Sequence, residues 1–254
     1  MYPTRTTLAG LVLLALTACA PPEPPAPAEP PPPAVSPEIA AMYGGVADNG
    51  HYIDAVDPRL LTEDKARQLV DYWTDEKPGT IIVDPHANRL YQVRPGNRAM
   101  RYTVAVGAAG YGFTGAAHIP YQRAWPSWKP TDNMVAANPA LYGPVEKGLE
   151  GGVDNPMGAR ALYLHNRRGD TFYRIHGTMD PASIGGSDTA GCIRLFNQDI
   201  IHLAAQTHSM TKVIVLTEAE SGKGTVPPGQ PLPAPVRDDT GMLAAATDPA
   251  GGTT

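Results

Sequence analysis

The chain predicts a mainly β domain, a sandwich or open barrel with a few short helices, and three observations carry that reading. Short apolar or β-branched runs recur at Thr80–Val83, Arg89–Val93, Arg101–Val106, Ala117–Gln122, Ala161–Leu164, Thr171–His176 and Lys212–Leu216. Long Gly/Pro-rich connections separate them, in a sequence with 28 prolines and 26 glycines. Only two short stretches carry helical spacing, so sheet is the main way to bury a core.

The elements follow in order. Leu61 to Trp73 places Leu61, Ala66, Leu69, Val70 and Trp73 at near-helical spacing, with Thr62 as N-cap and Glu63 and Asp64 in the first turn, which predicts a short helix packed on the domain. After Pro78-Gly79 the pattern changes to strands, the first two joined by an Asp84-Pro85-His86-Ala87-Asn88 turn. Asn197 reads as the cap of a helix reaching about Gln206, with Ile200, Ile201, Leu203 and Ala204 on its buried face. Gly107–Gly115 and Gly148–Gly158 lack the Gly-Lys-Ser/Thr ending of a phosphate loop. They are read as connections, the second as a candidate lid.

Composition sets the boundaries. Arg5 precedes an apolar run, Leu8 to Leu16, too short for a permanent membrane helix, so residues 1–18 read as a secretion signal. Residues 19–37 form a Pro/Ala-rich linker, extended and semi-rigid. Residues 38–78 are an N-terminal helical extension, 79–218 the main domain, and 219–254 a polar tail without apolar period that is expected to be disordered. Residues 38–218, about 180 in all, can bury one real core. A net charge of -5 with 18% charged residues argues against a nucleic-acid binder working through a basic surface.

One constellation carries chemistry. Cys192 is the sole cysteine outside the N-terminal segment, and His176-Gly177 precedes it across a Gly/Ser-rich interval. A free thiol has a pKa of about 8.5, so a nearby imidazole that takes or stabilises its proton makes it a nucleophile near pH 7. The imidazole must be held in one tautomer by a fixed acceptor, and the carbonyl beside Gly177 is uncrowded. Gly191 lets the backbone turn so that N–H groups from Ala190 to Cys192 converge on an oxyanion. If residues 192–195 are extended, Arg194 points to the same side as Cys192, as a carboxylate clamp or as a structural ion-pair partner. An isolated cysteine is more often a small buried hydrophobe. Here an unpaired thiol in an exported chain needs a reason, and the surrounding residues supply one.

These residues resemble the L,D-transpeptidase catalytic domain, also called YkuD. Its signature is a His-Gly pair followed by Ser/Thr-X-Gly-Cys, often continuing Ile-Arg, matched by His176, Gly177, Thr189, Gly191, Cys192, Ile193 and Arg194. Thr114-Gly115, Trp125-Pro126-Ser127-Trp128, Asn155-Pro156-Met157-Gly158 and Ala161-Leu162-Tyr163-Leu164 match the same domain in the same order, over roughly 79–218. Ala190 departs from the histidine or serine commoner there, so no role for a second histidine carries over. The resemblance implies a YkuD-like β fold, with Cys192, His176 and Gly177 catalytic and Arg194, Thr189, Ala190 and Gly191 binding substrate. It implies no cofactor. It further implies attack on the bond between meso-diaminopimelate and D-alanine in a peptidoglycan tetrapeptide stem, then transfer of the acyl group to an amine. The amine belongs to a second stem, giving a 3-3 cross-link, or to an outer-membrane protein. Hydrolysis by water and a catalytically silent wall-binding protein are the competing readings.

Leu16-Thr17-Ala18-Cys19 resembles a bacterial lipobox, which implies lipid on Cys19 and a periplasmic domain held at a membrane, the outer one favoured by Ala20. An ordinary signal peptide is the plainer reading. His51, His202 and His208 lack partners at metal spacing, so no metal site is expected. His118 and His165 read first as structural. Trp125 and Trp128 read as core or cleft wall before sugar platform.

Overall fold

The computed structural model describes residues 35–107, 112–186 and 192–233. The expected signal segment, Cys19, the expected linker up to residue 34, Thr189, Ala190, Gly191 and residues 234–254 lie outside the described residues. In chain order the elements are α1 (Pro37–Met42), β1 (Val46–Asp48), β2 (His51–Ile53), β3 (Gln68–Asp71), β4 (Ile81–Asp84), β5 (Arg89–Arg94), β6 (Arg98–Thr103), β7 (Ala105–Val106), β8 (Gly115–Ile119) and β9 (Gln122–Ala124). There follow α2 (Asp132–Ala137), α3 (Pro139–Tyr142), β10 (Arg160–Asn166), β11 (Gly169–His176), β12 (Ile193–Arg194), α4 (Asn197–Ala205) and β13 (Thr211–Val215).

Eleven strands make one sheet in the order β3-β6-β5-β4-β13-β8-β10-β11-β12-β7, with β9 paired to β10. β6 lies near one end of that order and β7 at the other, yet Val104 alone separates them in the chain. The sheet therefore curls until its ends meet, as an open barrel. The expected mainly β fold is the observed one.

Inside the curl lies the main core. Ile81, Val83, Leu90, Tyr102, Leu162, Leu164, Ile175, Val213 and, from α4, Ile200 and Leu203 are all buried there. The alternation along each strand decides which side chains face it. A second cluster joins Ile39, Tyr43, Val56, Leu61 and Ala66 to Ala105, Ile184 and Phe196. The N-terminal extension is thus packed into the domain. Tyr43 donates its hydroxyl to the buried Asp199 carboxylate at 2.9 Å, and Arg67 reaches the same carboxylate at 2.9 Å.

Three expectations are corrected. Leu61 to Trp73 is one turn, with Thr62 accepting from Lys65 and Ala66, and then strand β3 on β6. A short isolated helix is marginal in water, whereas pairing with the open edge of β6 satisfies a run of backbone groups at once. The extension's helix is instead α1, capped by Ser36, which accepts from Ile39 N–H at 3.3 Å, with Pro37 at its first turn. Its start takes the last two residues of the expected linker. The polar tail is ordered as far as Pro233: Asp84, fully buried, accepts from Gly222 N–H at 2.7 Å and from the Ser221 hydroxyl at 3.0 Å, and Tyr72 donates to Lys223 O at 2.8 Å. Hydrogen bonds to a buried carboxylate hold it, which an apolar-period reading does not register.

Candidate active site

β11 ends in His176, and β12 begins one residue after Cys192. The two pair in parallel, Ile175 opposite Ile193 and His176 opposite Arg194. Ile175 and Ile193 are buried in the core, so the residues that alternate with them face the other side of the sheet. One further step back sets Cys192 beside Arg174, whose backbone N–H is hydrogen-bonded to the sulfur. Arg174, His176, Cys192 and Arg194 therefore share one face. Strand spacing and rise put the Cα atoms of Cys192 and His176 roughly 8 Å apart, a gap that thiol and imidazole side chains on one face can close.

His176 is buried, and its Nδ1 lies 2.7 Å from Gly177 O. A carbonyl only accepts, so Nδ1 donates the hydrogen and Nε2 is left as the base. Burial holds the ring pKa down to about 4, with the Arg194 and Arg174 charges adding to it and the Gly177 and Met157 carbonyls opposing. Burial also pushes the Cys192 thiol up, against the pull of the Arg174 N–H and of the Arg174 and Arg194 guanidiniums. At neutral pH the pair is a neutral thiol and a neutral imidazole.

The turn after His176 is held by Asn197. Its Oδ1 accepts from Ala159 N–H at 3.0 Å and Thr178 N–H at 3.2 Å, and its Nδ2 donates to Thr178 O at 2.7 Å. Asn197 was expected to cap α4; Phe196 stands at that position and Asn197 is the first helical residue, its side chain turned to the His176-Gly177 turn. Gly158 and Gly177 abut there: a Cβ on Gly177 would lie 2.2 Å from Asn197 Oδ1, and one on Gly158, at φ +62°, 2.5 Å from Thr178 N. Both positions exclude a side chain. The candidate lid meets the site through Gly158, and Asn155 braces it internally, donating to Glu150 O at 2.9 Å and accepting from Met157 N–H at 2.9 Å.

Arg194 is half-buried, and its Nε is enclosed without a hydrogen-bond partner among the described residues. Among the described residues no carboxylate lies within ion-pair distance of Arg194, although the Asp180 charge acts on it. Trp125 donates to Asp48 Oδ2 at 2.8 Å and packs partly on the main core, its ring 4.2 Å from that of His51. Trp128 bridges to Leu149. His118 and His165 face each other across β8 and β10, beyond the site.

The family model for the L,D-transpeptidase catalytic domain, YkuD, matches residues 78–215. The chain belongs to this family. The probable L,D-transpeptidase YcfS of Escherichia coli K12 is 32% identical over 64% of this chain and 53% of its own length. YbiS of the same strain is 31% identical over 54% of this chain and 44% of its own. The chain thus spans about half the length of these curated relatives. Among solved structures, a Brucella melitensis protein described as a probable carnitine operon oxidoreductase is 44% identical, covering 59% of this chain and 92% of its own, with a TM-score of 0.42. An L,D-transpeptidase from Stackebrandtia nassauensis is 19% identical, covering 61% and 60%, with a TM-score of 0.38.

In this YkuD domain two contributors escaped the sequence reading. Asn197 joins Ala159 and Thr178, partners distant in the chain, so no local signal reveals it. Arg174 supplies the N–H beside the thiol through strand register, although the Arg-Ile-His spacing on one strand already placed it on the face of His176.

Proposed function

We propose that the domain is a peptidoglycan L,D-transpeptidase with Cys192 as nucleophile and His176 as base. What supports the reading is the parallel pairing of β11, which ends in His176, with β12, which begins just after Cys192, and the turning of His176 Nδ1 to Gly177 O. The thiol proton passes to Nε2 of His176 as sulfur attacks the carbonyl between meso-diaminopimelate and D-alanine. The same proton passes to the departing D-alanine amine, and a thioester remains. An amine of a second stem then attacks, gives its proton to His176 and expels the sulfur, which is reprotonated. The neutral resting pair means that proton transfer accompanies attack; a preformed thiolate-imidazolium pair is not the starting point. Arg194 holds a substrate carboxylate, and N–H groups of Ala190 to Cys192, with Thr189 beside them, hold the oxyanion.

The supporting experiment is incubation of the purified protein with defined tetrapeptide muropeptides, read by mass spectrometry. Loss of D-alanine with dimer formation supports transfer. Loss with added water makes the enzyme a hydrolase, and no loss sinks the reading. We propose further that Cys19 carries lipid and that the domain works in the periplasm, tethered to a membrane through the Pro/Ala linker. Support for this lies in the Leu16-Thr17-Ala18-Cys19 sequence, and labelling with a fatty-acid analogue tests it by comparing wild type with Cys19→Ala.

A further inference from the structure

Two cross-strand rows run over the catalytic face. In the first, Arg123 on β9 pairs with Ala161, Ala161 with His176, and His176 with Arg194. Directly paired residues put their side chains on the same side of a sheet, so Arg123 faces the same way as the catalytic histidine, two strands and roughly 10 Å of sheet away. Ala161 between them is too small to block the path.

The second row explains how Arg123 is held. Tyr121 stacks on Tyr163 with ring centroids 4.5 Å apart, and Arg174 covers the Tyr163 ring at 4.4 Å. The Arg123 guanidinium lies 5.8 Å from the Tyr121 centroid and 5.9 Å from that of Tyr163, bridging the pair. Its neighbours differ from it in one respect. Arg174 spends its fork on Asp170 at 2.7 Å, and Arg160 spends its own on Asp48 at 2.7 Å. Arg123 is exposed and has no carboxylate partner among the described residues. A cation oriented by two aromatic rings and left without an anion is arranged to receive one.

We infer that Arg123 is a specificity-determining residue that binds a free carboxylate of the peptide stem, on the side of His176 opposite Arg194. The inference rests on the stem-peptide reading above. A stem carries such carboxylates on its glutamate and on the far end of its diaminopimelate, several bonds from the attacked carbonyl. Both lie at a reach comparable with the separation of Arg123 from the site. Either source presents the same chemistry to the guanidinium.

The test uses three muropeptides: the tetrapeptide as it stands, the same molecule amidated at the glutamate, and the same molecule amidated at the diaminopimelate. Binding is measured by calorimetry on Cys192→Ala, with and without Arg123→Ala. The protein with Arg123 is expected to prefer the acid over one amidated form by about tenfold, a magnitude suited to one charge-assisted contact. Arg123→Ala brings that ratio to within about twofold, and Arg123→Lys retains part of it. The amidated form that loses affinity identifies the carboxylate. A preference that survives Arg123→Ala, or no preference in either protein, overturns the inference. Release of D-alanine by the wild-type protein is scored separately. Discrimination without release sinks the transfer reaction and leaves the role of Arg123 standing, whereas release without discrimination sinks the role alone. Unchanged alkylation of Cys192 by neutral iodoacetamide in Arg123→Ala confirms that the fold is intact.

Discussion

Asn197→Ala separates a positioning residue from a bystander. The substitution removes three hydrogen bonds, from Ala159 N–H and Thr178 N–H and to Thr178 O, at 3.0, 3.2 and 2.7 Å. Ala159 is fully buried and Thr178 nearly so, so water does not readily replace the lost partner. At about 1 kcal/mol net per bond the loss is about 3 kcal/mol, and more if the orphaned groups stay dry. For a domain of this size that is a fall in Tm of about 6–12 °C. Calorimetry on wild type and variant reads it directly. Asn197→Asp keeps the acceptor and loses the donor to Thr178 O, so it should fall between the two at neutral pH. Because His176 leans on the Gly177 carbonyl of the same turn, the rate of Cys192 acylation should fall with stability, beyond the loss of folded protein. A Tm of Asn197→Ala within 1–2 °C of wild type would show that the clamp contributes little and that the turn is set by the backbone alone.

The neutral thiol–imidazole pair has a pH signature. Alkylation of Cys192 should show no thiolate plateau at low pH and should keep climbing above about pH 8.5, where an ordinary thiol has half ionised; a flat fast rate from pH 5 to 7 would indicate an ion pair instead. His176, lowered to about 4 in the folded state, contributes stability that is present above its unfolded pKa of about 6.5 and is lost as pH falls through 4. His176→Gln should flatten that limb in denaturant titrations, and should lower acyl-enzyme formation at pH 7 by about a hundredfold or more. Asp48→Ala removes a bidentate contact to Arg160 and the Trp125 indole partner, and equilibrium unfolding should show a loss of about 2–3 kcal/mol. The Asp48 carboxyl is held below its ordinary range, by its hydrogen bonds to Arg160 first. Its share of stability is therefore present above the unfolded pKa and lost as pH falls through the folded one. Gly158→Ala, at φ +62° against Thr178 N and Asn197, should cost more than about 2 kcal/mol or fail to express as soluble protein.

The sequence by itself determined the fold class and most strands of the sheet, and it named Cys192 and His176 as the candidate pair, because these rest on local properties. A short run of apolar and β-branched residues writes a strand such as Ile81–Asp84, and a cysteine following a His-Gly pair suggests its own chemistry. Where reading failed, the deciding partner was far along the chain. Gln68–Asp71 became a strand because β6 had an edge to fill, a demand no window around Leu61–Trp73 contains. Ser221 and Gly222 are ordered by the buried carboxylate of Asp84, and Asn197 serves a turn that begins at His176. The tertiary structure alone decided that Cys192, His176 and Arg194 share a face, that the imidazole is neutral, and that Arg123 stands in the same row. Hydrogen bonds between distant residues and the loss of water around a buried charge exist only once the sheet has curled, so no local pattern encodes them.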